Sequence, residues 1–117
     1  MIKKADSKRS DTLVLHFENH ITIDEVNGMQ PLIDELEKKH DKINLIIFLN
    51  AEGESFGAFM KQFWLGIKHW NKLHKIAFVG NKNYWKYLVP IDNAFTKFSE
   101  KYFDDGEVES AWKWLDE

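Results

Sequence analysis

The sequence contains no cysteine and only one arginine, Arg9, among its 117 residues. Without cysteine it has no disulfide, no thiolate nucleophile and no sulfur ligand for a metal, and a reducing compartment is the expected environment. A single arginine leaves almost no guanidinium groups for reading guanine edges, which disfavours specific nucleic-acid recognition. The longest wholly apolar run, residues 45–49, is far shorter than the roughly 20 residues of a membrane-spanning helix. We therefore expect a cytoplasmic protein without a signal peptide.

Acidic residues are also missing from one long segment. Residues 55–91 contain no aspartate or glutamate, although they hold six lysines and nine of the seventeen aromatic residues. Because the whole chain has 16 basic and 19 acidic residues, this segment carries a charge of +6 and the remainder −9. A basic, aromatic block in an acidic protein favours a surface for an apolar or amphipathic anionic molecule, for lipid headgroups or for single-stranded nucleic acid. The negative overall charge makes nucleic acid the weakest of these.

Four segments have the composition of β-strands. Residues 12–19 alternate between apolar and polar side chains, as in a half-buried strand. Residues 43–49 are apolar on both faces, which is typical of a central strand in a parallel sheet. Residues 75–79 and 102–103 are the other two predicted strands. The first strands are expected to pair antiparallel at one edge.

Helical segments separate these strands. The predicted helices begin at Thr22, Ser55, Lys82 and about Val108, with interruptions expected at Gly28, Pro31 and Pro90. Strands alternating with helices predict an α/β fold. We expect a single domain over residues 1–117 with a mixed, mainly parallel sheet of four to five strands and about four covering helices.

The helix after Ser55 and the one after Lys82 supply the candidate ligand site. Their aromatic and apolar side chains follow ordinary core spacing, but two ring-rich helices could also separate and admit an acyl chain or a planar molecule. The predicted ligand-binding residues are Phe56, Phe59, Met60, Phe63, Trp64, Ile67, Tyr84, Trp85 and Leu88. A closed core is the competing interpretation of the same residues.

The opposite face of the first of these helices carries lysines. On a helical wheel at about 100° per residue, Trp64 and Leu65 flank the lysine sector and lie outside the core stripe. Tryptophan beside lysine is typical of a membrane interface. The predicted membrane-surface residues are Lys61, Trp64, Leu65, Lys68 and Lys72, with Lys75 in the same sector if the helix persists that far. Peripheral association with the inner face of the membrane is therefore expected, unless a neighbouring helix covers Trp64.

No catalytic or metal-binding pattern is present. The five histidines show no metal-ligand spacing, and the basic segment lacks carboxylate partners for them. Ser55 is the one hydroxyl at a helix start with the position of a nucleophile, but nothing resembling Gly-x-Ser-x-Gly surrounds it, so an N-cap is the preferred interpretation. We expect no enzyme activity and no cofactor.

The order of these segments resembles the STAS-like fold, and specifically the SpoIIAA-like family of small stand-alone bacterial domains. The residues that carry the resemblance are Ile21 and Thr22, Pro31, Ser55 to Ala58, Ile76 to Gly80, Trp85, Tyr102 to Asp104, and Ala111 to Leu115. The family resemblance implies a STAS-like domain that binds apolar ligands or membranes.

The wider STAS class suggests an alternative function for Ser55. In its phosphorylatable members, an Asp-Ser-Ser-Gly motif begins the helix after the central strand, and the first serine is phosphorylated by an anti-sigma-factor kinase. Ser55 matches that serine, but Glu54 replaces the aspartate and Phe56 the second serine. The alternative is thus a regulatory protein-interaction module of the anti-sigma-factor-antagonist type, which docks a partner near Ser55.

Overall fold

Five strands form one sheet with helices on both faces. The computed structural model describes residues 1–51, 56–67, 69–81, 83–84 and 98–117. The strands are β1 (Ile2–Ala5), β2 (Thr12–Asn19), β3 (Ile43–Ala51), β4 (Leu73–Val79) and β5 (Ser99–Phe103). The helices in these ranges are α1 (Ile23–Asn27), α2 (Met29–Lys39), α3 (Phe56–Ile67) and α4 (Val108–Asp116).

The strands lie in sequence order, β1 to β5, across the sheet. β2, β3, β4 and β5 are mutually parallel, and β1 pairs antiparallel with β2. The predicted α/β fold with a mixed, mainly parallel sheet is confirmed. β1 was not predicted, because Ile2–Ala5 is short and lysine-rich and acquires its strand conformation by pairing with β2.

The sheet buries a core on each face. The larger core lies beneath α1, α2 and α3 and receives Leu13, Leu15 and Phe17 from alternate positions of β2. The smaller core lies beneath α4, where Val14 from β2 meets Trp112 and other side chains of α4. Burial on both faces explains why β3 and β4 are almost continuously apolar.

The first helical region divides at Gly28, as its sequence predicts. The Thr22 side chain accepts a hydrogen bond from the Glu25 backbone N–H, and the Glu25 carboxylate accepts one from the Thr22 N–H, which completes a capping box. Glu25 also accepts a hydrogen bond from the Ile2 backbone N–H at 2.8 Å, which ties α1 to β1. α1 ends at Gly28 and α2 follows directly, with Pro31 in its first turn, where the missing N–H costs nothing.

Two cations attach the end of α4 to the sheet. Lys75 is buried in β4, and its ammonium group donates hydrogen bonds to the backbone oxygens of Trp114 and Glu117 at 2.8 and 2.7 Å. Arg9 forms two hydrogen bonds of 2.9 Å with Asp11 and also contacts Asp116. The Lys75 bonds satisfy main-chain oxygens that the last turn of a helix leaves unpaired.

Candidate functional site

The connection between β3 and α3 lies where the parallel strands end. Since β2 to β5 run in one direction, their carboxyl ends share one edge of the sheet, which is where open α/β sheets commonly bind ligands. The predicted phosphosite, Ser55, belongs to this connection, but residues 52–55 lie outside the described residues.

Tyr84 contacts the residues on both sides of this connection, Ala51 and Phe56. Its hydroxyl donates a 2.7 Å hydrogen bond to the backbone oxygen of Ala51, the last residue of β3. Its ring meets the edge of the Phe56 ring, with 5.4 Å between centroids, at the start of α3. Nearby, a Cβ at Gly80 would lie only 3.0 Å from the Leu49 Cβ, so the turn after β4 requires glycine for this close approach. The two residues that flank the connection are therefore both held by contacts with Tyr84.

Most of the predicted ligand-binding residues form the core instead of lining a pocket. The buried members of that set in the described residues are Phe56, Met60, Phe63, Trp64 and Ile67. Phe59 and Tyr84 are half-buried and pack against the same core. Trp85 and Leu88 lie outside the described residues, so the pocket predicted between the two aromatic helices stays a prediction.

The predicted exposure of Trp64 is wrong. Its side chain is 1% exposed and packs edge-on against Phe78, with 5.6 Å between centroids. It also stacks parallel to Phe98, at 6.4 Å and 10°, just before β5 begins. α3 therefore packs against β4 and against Phe98, the residue before β5, as well as against the centre of the sheet. These contacts bury Trp64. Trp64 cannot act as an interfacial anchor in this conformation.

The predicted lysine surface is also smaller than expected. α3 ends at Ile67, so Lys72 follows the helix and Lys75 belongs to β4. Lys72 is exposed, but its ammonium group donates a 2.6 Å hydrogen bond to the Glu37 backbone oxygen. Lys61 and Leu65 are exposed on α3 as predicted, with Leu65 40% exposed. Lys68 lies outside the described residues.

Comparison with protein families explains this architecture. The SpoIIAA-like family model matches residues 12–116, from β2 to the end of α4. The chain belongs to the SpoIIAA-like family. The predicted resemblance is thereby confirmed, and the mostly parallel sheet agrees with a STAS-like fold. Comparisons with curated proteins and with solved structures gave no match.

An open groove separates α3 from α1 and α2 in this SpoIIAA-like domain. It has a volume of about 430 Å³ and is lined chiefly by Asn27, Gln30, Gln62, Leu65, Gly66 and Trp70. Gln30 accepts a 2.8 Å hydrogen bond from the Trp70 indole, which fixes the floor of the groove. The groove includes Phe63 but no other predicted ligand-binding residue. Its lining combines three amide side chains with apolar residues and His69, and it therefore differs from the aromatic pocket that was expected. No sequence pattern predicts this groove, because its two sides come from separate helices.

Titratable side chains do not assemble into reaction machinery in the described ranges. No group of three or more metal-ligating side chains occurs there. Burial raises the pKa of the Glu100 carboxyl on β5, and this carboxyl forms a hydrogen bond with the Tyr102 side chain. None of the helices in those ranges is long and apolar enough to cross a membrane.

Proposed function

We propose that this SpoIIAA-like domain is a non-catalytic regulatory module that binds a protein partner through the outer surface of α3 and the connection that precedes it. Family membership supports a regulatory STAS-like domain. The observation that carries the proposal is the apolar exposure on α3 and its neighbour: Leu65 is 40% and Ile23 of α1 is 50% exposed. Exposed apolar side chains beside a groove are typical of surfaces that a partner covers.

The interacting surface combines these apolar residues with polar neighbours. Ala58 and Lys61 are exposed on α3 together with Leu65, and Gly66 has open space where a side chain would stand. A small residue, a cation and a leucine on one helix face allow close approach of a partner helix or loop. The same surface adjoins Ser55 in sequence, so a partner seated on α3 can also contact the phosphosite suggested by the family resemblance.

Binding of an apolar ligand or of a membrane is the second interpretation, and it loses its main support with Trp64 buried. Lys61 and Leu65 keep their predicted exposure, but among the described residues this pair, even together with exposed Lys72, gives little membrane affinity. A protein partner can instead contact Lys61 and Leu65 directly, through a defined set of side-chain contacts. We therefore prefer the regulatory alternative.

Photo-crosslinking tests the proposal. A photoreactive phenylalanine analogue at Ala58, Lys61 or Leu65 in cells of the native host should yield one crosslinked protein, and the same analogue at Lys38 of α2, also exposed, should not. The identified protein should form a stoichiometric complex with the purified domain by calorimetry. Leu65→Asp should weaken that complex at least about tenfold, since it places a charge in an apolar contact.

Two results would contradict the proposal. Equal crosslinking from Lys38 and Leu65 would show that the contacts are non-specific, and a purified candidate that forms no complex would show that the crosslinked protein is not a partner. The mass of the domain isolated from its host shows independently whether Ser55 is phosphorylated. Stoichiometric phosphate there would assign the regulation to phosphorylation, and its consistent absence would leave Ser55 as a helix cap.

A further inference from the structure

In the part of the chain that the structure describes, the face of the sheet beneath α4 is only partly covered. Val14 of β2 and Ile46 of β3 are buried there under α4. Two residues farther along the same strands, His16 and Phe48 are only half-buried. They border an open depression of about 340 Å³ at the carboxyl end of the sheet. The lining side chains that matter here are His16, Glu18, Phe48, Asn50, Asn81 and Asp105.

An aromatic pair forms the floor of this depression. His16 and Phe48 are direct neighbours across β2 and β3, and their rings stack at 4.6 Å with an angle of 10°. His16 covers one face of the Phe48 ring. Phe48 is nevertheless only half-buried, and its ring lines the depression. An accessible aromatic ring on an uncovered sheet face is a contact site for a flat or cationic group.

The rim supplies negative charge and amide groups. Asp105, in the turn before α4, is exposed and forms no ion pair with any residue that the structure describes. Glu18 pairs with Lys3 at 3.3 Å, but exposed pairs of this kind contribute little and can be shared with an incoming cation. Asn50 and Asn81 add hydrogen-bonding amides. The chemistry of the depression is complementary to a planar cation.

We propose that this depression receives an arginine side chain of the protein partner, which reaches it around the carboxyl edge of the sheet from the surface of α3 on the other face. A planar guanidinium group stacks flat on an aromatic ring and donates paired hydrogen bonds to a carboxylate, whereas a lysine ammonium group approaches either group as a point charge. A second copy of this chain is an unsuitable donor, because its single arginine, Arg9, is already bound to Asp11 and Asp116. The inference rests on the proposed function and specifies the partner's chemistry.

Blocked tripeptides test this chemistry without the partner. The probes are acetyl-Gly-Arg-Gly-amide and the same peptide with lysine, with glutamate, or with citrulline, which has the shape of arginine without its charge. NMR titration should give saturable shifts at the Phe48 ring and the Asn81 amide for the arginine peptide, with a dissociation constant on the order of millimolar. The lysine peptide should bind several-fold more weakly, and the other two should not saturate.

Variants connect the binding to the depression. Phe48→Leu, which retains apolar bulk, and Asp105→Asn should each weaken arginine-peptide binding at least about threefold. Asp41→Asn, at an exposed position outside the depression, is the matched control and should have no effect. Unchanged thermal unfolding of each variant verifies that the fold is intact.

Three outcomes would overturn the inference: no saturable shift with arginine, equal binding of arginine and citrulline, or binding unaffected by Asp105→Asn. These are distinguishable from failure of the proposed function. A partner complex that forms normally while the arginine peptide does not bind refutes only the arginine site. Absence of any complex refutes the proposed function, whatever the peptides do.

Discussion

Replacement of Trp64 by alanine tests whether its indole is part of the core beneath α3. The indole is 1% exposed and contacts the rings of Phe63, Phe78 and Phe98. Alanine would remove all of these contacts and leave a cavity between α3 and the sheet. Truncation of a buried aromatic residue costs about 3–5 kcal/mol, and small domains have only about 5–15 kcal/mol of stability in total. We therefore expect Trp64→Ala to lose a large part of the free energy of unfolding.

Urea denaturation followed by circular dichroism measures this loss. Leu65→Ala is the matched control, because Leu65 is the next residue of the same helix but is 40% exposed. Its replacement should change the free energy of unfolding by less than about 1 kcal/mol. The contrast between adjacent positions removes any general effect of alanine on helix propensity.

A small effect of Trp64→Ala would refute this reasoning. A loss below about 1 kcal/mol would place the indole at the surface and would restore the membrane interpretation.

Vesicle co-sedimentation provides the second measurement. At about 0.15 M salt we expect equal sedimentation with anionic and zwitterionic vesicles, because Trp64 is unavailable and surface charges are screened over about 8 Å. An excess on anionic vesicles that Trp64→Ala abolishes without unfolding would contradict the structure.

Three further predictions concern stability. Lys75→Met should lower the free energy of unfolding by about 1–3 kcal/mol in urea titrations, because it removes the donors to two carbonyls at the end of α4; an unchanged midpoint would contradict this. Thr22→Ala should cost about 1 kcal/mol by loss of the capping box, and loss of hydrogen-exchange protection should be concentrated in α1. The hydrogen bond from Arg9 lowers the pKa of Asp11 from 3.8 to about 2. Since this folded-state pKa lies below the unfolded value, its stabilisation is present above about pH 4 and is lost as the pH falls toward 2. Asp11→Asn should therefore flatten the decrease in stability over that interval, and an unchanged acid profile would argue against the pair.

Local patterns predicted most of the sheet and the capping box of the first helix. The alternation of residues 12–19 and the apolar run of residues 43–49 correspond to β2 and β3, and the capping box at Thr22 forms as expected. β1 could not be predicted in this way. Its four residues are too few to show a period, and they extend because β2 supplies hydrogen-bonding partners. Non-local pairing decides such short edge strands.

The helical wheel of α3 failed for a specific reason. The predicted core stripe of this helix was Phe56, Phe59, Met60, Phe63, Ile67 and Trp70. Trp64 lies about 40° beyond the Met60 edge of that stripe on a wheel of 100° per residue, and it was therefore assigned to the outer surface. In the structure, Phe78 of β4 and Phe98 cover this flank and bury the indole. Contacts with neighbouring elements, which a helical wheel does not represent, thus decided the position of Trp64.

The depression at His16 and Phe48 illustrates why a contact surface can escape sequence reasoning altogether. His16 is one polar residue in an alternating strand, and Phe48 is one apolar residue in a continuous run, so each has an ordinary explanation where it stands. Only the parallel register of β2 and β3 places their rings together. Only partial coverage by α4 leaves them open, although the sheet could have buried both. The proposed arginine site rests on this aromatic pair at the carboxyl end of central strands, together with the Asp105 carboxylate, which forms no ion pair with the residues that the structure describes.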